Sequence, residues 1–581
     1  MTARPRISAD VSAALTAAIP PRLVKKLDAE PTLAENWTWT DADVTTDKGE
    51  TVKLTLDAGV ITGVACSCLL APKCLHIAAV ITLLEPDEGA AAAPDMSGTA
   101  PATEIATGVV SASGVQAAQR AFRAVADILA TGAEVTGAFA QAELLRAIHA
   151  CRSVGLHRLA AAQTRALRSI RELRADRPEF ELRVLTADLR ESLAVAHDLA
   201  AGHTAQALIG TARRDYETIG NIRLRGVFSE AVVARSGYAG AITYLLDDKG
   251  TFYTRADVAP GDAGRAAAAY DAAAGIGDAV LPHRELCRTG LFVSDATASA
   301  DGRLGAGQKV RAVRASEPSR WDHDHLAPRF RVPLADQLVR IATRDADPDE
   351  LRPAAWDLAF VEGMLLAHPG GIGIVCRLGE AGHVLVDLTT SHDHHSLPAR
   401  DNLVVLRRAS GLQVRAIGRI RLGAPRLLEL LALGPAADES RFAMPDAWHG
   451  RVNLHYDRLS ILAMPPDAVT SAGPLVLAPL PPTGDLLSPL RRRVERAVLG
   501  GAGTLPMHAI PELDREAAHL ADKALRAGAE VLRDLGAIAH DASRAATGIR
   551  RPLDRATFAR AWLRAALYED TARRRLSVAS W

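Results

Sequence analysis

Cys66, Cys68, Cys74 and His76 place three thiols and an imidazole within one short stretch of a 581-residue chain. The pattern is Cys-x-Cys-x5-Cys-x-His, four soft or borderline ligands, the number that tetrahedral Zn²⁺ takes in a closed structural site. The chain has only six cysteines, so a random nine-residue window holds about 0.1 of one. Cys151, Cys287 and Cys376 stand apart. Other uses of such residues exist. A disulfide across Cys-x-Cys would close a small strained ring, reduced thiols are often plain core, and cysteines also carry iron–sulfur clusters. The spacing and the histidine favour zinc.

The flanking residues supply elements to hold these ligands. Thr51 to Asp57 alternates, with Val52, Leu54 and Leu56 on one face, the period of a half-buried strand. Ala58-Gly59 makes a tight turn, and Val60 to Cys66 reads as the returning strand. Cys66 and Cys68, two apart on extended backbone, point the same way. Pro72 breaks the chain, and Cys74 to Leu84 is an apolar run of helix length. Cys74 is expected in the first helical turn, where free N–H groups and the dipole favour a thiolate.

This order of strand, strand, Cys66-x-Cys68, Cys74-x-His76 and helix resembles the SWIM-type zinc finger over roughly residues 50 to 85. Beyond it, the chain is similar to the large actinobacterial SWIM zinc finger family proteins, through Ser236 to Asp248 and Asp301 to Gly307. The resemblance implies a finger that binds DNA or other proteins. It also implies partners of the AAA+ ATPase and von Willebrand A type.

Composition bounds the rest. Hydrophobic residues make up 48% and charged residues 23%, ordinary for a globular chain, and the length suits several domains. No apolar stretch reaches the roughly 18 uncharged residues of a membrane helix, and the N-terminus lacks an apolar secretion core. A cytoplasmic location, where thiols stay reduced, is expected. Net charge is zero, so the whole molecule offers no basic field to a phosphate backbone. The distribution is uneven: residues 1–88 carry eight Lys and Arg against twelve Asp and Glu, and residues 487–581 carry seventeen against eleven.

The expected architecture is a multidomain α+β chain. An N-terminal region (1–88) carries the ββα finger, and Trp37 and Trp39 pack on its hairpin. A flexible linker (89–115) rich in Ala, Pro, Ser, Thr and Gly follows. A helical bundle (116–213) is read from stripes such as Leu156, Leu159, Leu167 and Ile170, with Pro178 opening the helix of Leu182 to Leu193. A strand-rich region (218–470) includes Tyr238 to Leu246, Gly290 to Ser294, Gly373 to Arg377, His383 to Leu388, Asn402 to Arg407 and Val414 to Arg421. A C-terminal helical region (486–581) includes Ala518 to Leu535 and Arg555 to Ala572, with basic runs at Arg491–Arg493 and Arg573–Arg575.

Two further clusters, Asp322-His-Asp-His325 and His392-Asp-His-His395, hold metal-ligand types in looped, polar segments, and exposed loops are the simpler reading. No phosphate-binding Gly-x4-Gly-Lys-Ser/Thr, no Gly-x-Ser-x-Gly elbow and no His-Glu-x-x-His occurs. No enzyme is expected. After His76 the helix reads Ile-Ala-Ala-Val-Ile-Thr-Leu-Leu and carries no side chain that reads base edges. Such a helix docks on protein, its own N-terminal segment or a partner. The favoured reading is therefore a non-enzymatic, protein-binding adaptor with one structural Zn²⁺. The alternative is nucleic-acid binding through the finger and the basic C-terminal helices.

Overall fold

A computed structural model describes residues 4–57, 59–87, 111–203, 205–211, 216–234, 237–305, 307, 309–345, 347, 352–379, 382–424, 426–464, 485–505, 510–541 and 552–581. Most of the expected 89–115 linker therefore lies outside the described residues. Its last residues do not: a helix starts at Ala112, capped by the Ser111 hydroxyl, which accepts the Gly114 N–H. The chain is mixed α and β and gathers into two compact units. One holds residues 1–92, 100–213 and 484–572, and the other holds 93–99, 214–483 and 573–581.

In the first unit, the hairpin Thr51–Asp57 and Val60–Cys66 is the middle of a five-stranded sheet. Arg6–Ile7 joins beside Val60 in parallel, and Asp43–Thr45 and Thr38–Trp39 extend the other edge. Val52 and Leu54 face the core as their alternation requires, but Leu56 is 39% exposed. The register shifts between Thr55 and Leu56, and a bulge of this kind turns the end of a strand away from its sheet. Two helices, Ala9–Ala18 and Pro21–Ala29, lie on the same core, the second where Pro21 to Leu27 is expected to be helical from the sequence.

The helices of 112–200 and those of 488–572 share one hydrophobic core. The expected start at Pro178 shifts to Leu182, and the expected single helix at 518–535 is two, Ile510–Asp522 and Arg526–Asp541. Ala524 between them has φ 63°, a left-handed conformation that ends a helix. Gly132 and Gly501 let two turns of this body meet. Both have positive φ, and a Cβ on Gly132 would lie 2.4 Å from the Leu499 carbonyl oxygen.

The second unit repeats one topology. Strands Glu217–Val233, Tyr238–Asp247 and Phe252–Pro260 form a meander, and after the helix Ala263–Ala269 the strand Thr289–Ala298 returns beside the first. This is a Greek key, fourth strand beside the first. Arg311–Pro318 adds a fifth strand. Leu358–His368, Gly371–Arg377 and His383–Thr389 repeat the meander, the helix Ala399–Leu406 follows, and Gln413–Ile420 and Leu427–Pro435 are again fourth and fifth. In the second copy the third strand pairs in parallel with the fifth, Asp387 to Leu427, which closes a barrel. In the first copy the third strand makes one parallel bridge, Thr254 to Arg303, to the segment between the fourth and fifth strands. Alternating Ile372, Ile374, Cys376 and Val384, Val386, Leu388 fill the closed barrel.

One element here overturns an expectation. Asn402 to Arg407 is helix, not strand. Pro398 and Asp401 make a helical start, and buried Asn402 donates to the Leu454 and Asp457 carbonyls. A run of eight cannot be assigned by periodicity when Val404 and Val405 favour a strand and the ends favour a helix.

Buried histidines make this unit acid-sensitive. His283 and His455 are 0% exposed, and burial lowers them to about 4 and about 3. The Ala231 N–H donates to His455 Nδ1, consistent with a neutral ring. A histidine whose folded pKa is depressed takes up its proton in the unfolded chain first, so stability falls as pH drops below about 6.5. Each is expected to cost about 2 kcal/mol by pH 5. Urea midpoints followed by hydrogen exchange in the barrel strands check this, and equal midpoints at pH 7 and pH 5 would refute it.

Candidate metal centre

The four residues singled out by spacing meet in space. One ligand atom from each of Cys66, Cys68, Cys74 and His76 lies within 4.8 Å of the others, and among the described residues no other group of three or more such ligands does so. Cys66 ends the returning strand, opposite Val52. Cys68 follows in the turn, its N–H donating to Cys66 Sγ at 3.5 Å. Cys74 is not inside the first helical turn as expected. It is the N-cap of the helix Leu75–Leu83, in extended backbone, and its Sγ accepts the Ile77 N–H at 3.4 Å. This position aims the sulfur at the free N–H groups more directly than a helical one would. His76 presents Nδ1 to Cys66 Sγ at 3.7 Å, and the edge of Trp37 rests on its ring.

These distances fit the donor set to zinc. Tetrahedral Zn²⁺ with S at about 2.3 Å and N at about 2.0 Å sets its ligand atoms roughly 3.6–3.8 Å apart. The Cys66–His76 separation already has this value, and the widest pair needs to close by about 1 Å. Burial pushes the Cys74 thiol up to about 12 and raises that of Cys66. Cys68 is lowered: burial opposes this, but the Leu70 N–H and the neighbouring thiols outweigh it. A metal must therefore drive protons off.

The helix behind the site is used up by its own chain. Ile77 to Ile81 and Leu84 are at most 1% exposed, packed against the sheet and the two N-terminal helices. Arg171 of the helical body donates to the Leu84 carbonyl at 2.7 Å, and Asp28 accepts the Ala138 N–H at 2.9 Å. The loop between the ligands is exposed, with Leu69 and Leu70 largely in solvent. Trp37 and Trp39 pack partly buried against the core, as expected, and Trp39 Nε1 donates to the Ala34 carbonyl.

The other clusters do not assemble. His323 is half-buried while Asp322, Asp324 and His325 are exposed. Asp393 pairs with Arg400 at 3.0 Å, His394 lies against His395, and His392 faces the Ala231 carbonyl. The basic runs are largely ion-paired. Arg493 is 4% exposed between Glu512 and Glu516, Arg492 reaches Glu516, and Arg574 reaches Asp345.

Sequence reasoning missed the buried charge network of the second unit. Arg419 donates to both oxygens of Glu230 at 3.0 Å and pairs with Asp357, with Glu429 at 3.9 Å and Tyr244 donating to Glu230. Nothing local marks it, because Glu230 and Arg419 are 189 residues apart.

No family model, no curated protein and no solved structure matches the chain. No helix of the described residues is long and apolar enough to cross a membrane.

Proposed function

We propose that the chain is a non-enzymatic adaptor whose SWIM-type finger, built around one structural Zn²⁺, presents a short apolar loop to a protein partner. The convergence of Cys66, Cys68, Cys74 and His76 carries this reading. Four protein ligands leave no open coordination position for a substrate, which argues for structure over Lewis-acid chemistry. Two of the ligands, Cys68 and Cys74, bracket Leu69 and Leu70, so the metal holds two exposed leucines in one shape. Side chains of that size out of the core mark contact surfaces when something rigid presents them. By the resemblance above, the partner is of the AAA+ ATPase or von Willebrand A type.

Nucleic-acid binding, the other reading, needs unpaired cations, and the ion pairing of Arg491–Arg493 and Arg574 does not favour it.

A pull-down from the native host separates the two. The variant Leu69→Asp/Leu70→Asp is expected to keep its metal and lose the partner by about tenfold or more, and Cys74→Ala to lose both. A double variant that captures as much partner as the parent would overturn the adaptor reading. So would tight nucleic-acid binding that weakens steeply with salt in a gel-shift titration.

A further inference from the structure

The second unit contains a cavity of about 450 Å³ that the adaptor reading does not use. This is the size that takes a small ligand. Its lining includes Arg284, Arg288, Arg314 and Arg458 together with Glu285 and Asp457. Tyr270, Trp448 and Tyr456 supply aromatic surface.

The floor is built and rigid. Arg288, 5% exposed, donates to Asp457 at 2.6 Å, to the Tyr270 hydroxyl at 2.7 Å and to the Trp448 carbonyl at 3.3 Å. Tyr270 stacks on Tyr456 at 4.1 Å with parallel rings, and Arg284 lies over the Tyr270 ring.

A second cation adjoins this floor without a counter-ion. Arg451 is 0% exposed and donates to the carbonyls of Ser319, Gly226 and Cys287. No carboxylate among the described residues pairs with it, and its Nε has no hydrogen-bond partner. Asp457 pairs with Arg288, so Arg451 is held by carbonyls alone. A net buried positive charge is costly unless an anion comes near it. Burial, and to a lesser degree Arg288, brings Arg451 down to about 10, while Cys287, Tyr270 and Asp457 work against both. His449 on the wall is lowered by burial and then by Arg451, Arg320, Arg288 and Arg314, which reports the same field.

At the rim, Arg314 pairs with Glu285 at 3.0 Å, Arg458 with Asp401 at 3.1 Å, and Arg284 with Asp271. These pairs are about half exposed or more. Exposed pairs are worth little, so a stronger anion can displace them.

We propose that this cavity binds a nucleoside phosphate, with the rim residues Arg284 and Arg314 receiving the phosphate and Trp448 flanking the ring. Guanidinium groups match phosphate geometry in pairs, and a base stacks on aromatic or guanidinium planes. The same chemistry comes from a free mononucleotide or from one nucleotide of a single strand.

Calorimetric titration of the full chain in phosphate-free buffer tests the site with three probes: adenosine monophosphate, inorganic phosphate and a short single-stranded oligoadenylate. Saturable binding of the monophosphate, tighter than phosphate alone, is expected. Arg284→Ala/Arg314→Ala, both rim positions, should weaken it by roughly tenfold per guanidinium removed while leaving the melting curve unchanged. Trp448→Ala should weaken the monophosphate and leave inorganic phosphate as it was. A preference for the oligonucleotide over the monophosphate, lost in the same rim variant, supports the site with a strand as its source. The proposal fails if no probe binds by about 1 mM, if phosphate binds as tightly as the nucleotide, or if the rim variant binds like the parent.

Discussion

Removing the metal is expected to release the stretch from Cys66 to His76 and to weaken the whole N-terminal sheet. Purified protein should hold about one Zn²⁺ per chain, and Cys74→Ala should hold almost none. Apparent binding energies of about 10–16 kcal/mol are typical of such sites. Here part of that is not needed for folding, because the finger is not alone. Ile77 to Ile81 are sealed by the N-terminal helices, and Arg171 and Asp28 tie the module to the helical body. Chelation should therefore leave the helix Leu75–Leu83 partly protected while exchange at Cys66–His76 speeds by about a thousandfold. Acid should do the same. Up to three thiolates take protons on release, so affinity should fall roughly a thousandfold from pH 7 to pH 6. A metal-free chain with unchanged exchange over these residues would remove the zinc reading and the adaptor reading with it.

Arg419→Met is expected to be the most damaging single change in the second unit. The guanidinium stands among Glu230, Asp357 and Glu429, and the side chains of Glu230 and Glu429 are each 5% exposed. Burial by itself would lower Arg419, but Glu230 and Asp357 hold it well above its usual value. Methionine keeps much of the volume and removes the charge, leaving three acids close together in a low-dielectric site. Breaking a buried pair this way costs about 3–5 kcal/mol. Denaturant midpoints read by exchange in strands Glu217–Val233 and Gln413–Ile420 would show it. A loss of less than about 1 kcal/mol would mean that water reaches the network and screens it as it does a surface pair.

How far the fold was legible varied with how local its cause is. The hairpin Thr51–Asp57 and Val60–Cys66 was readable to the residue, because alternation and a turn are properties of neighbours. The start of the following helix was missed by one residue. Whether Cys74 is first turn or cap depends on where its sulfur finds the Ile77 N–H. The helix Ala399–Leu406 was misread because its β-branched residues contradict its ends, and burial of Asn402 against Leu454 and Asp457 decides the matter. The duplicated five-strand order could not be read at all, since pairings such as Leu358 with Arg419 and Asp387 with Leu427 join distant residues through backbone atoms that carry no side-chain signature.

What the sequence determined by itself was the ligand set and its nearest scaffold: four donors, their spacing, and an apolar helix that had to be buried. Only the tertiary structure decided what buries that helix, namely the chain's own N-terminal helices, and left Leu69 and Leu70 exposed. It alone brought Glu230 to Arg419, and Tyr270 and Arg288 to Asp457. Spacing along the chain can specify a site when all its members lie within one turn and one hairpin. A site assembled from residues nearly two hundred positions apart exists only once long-range packing has closed those loops.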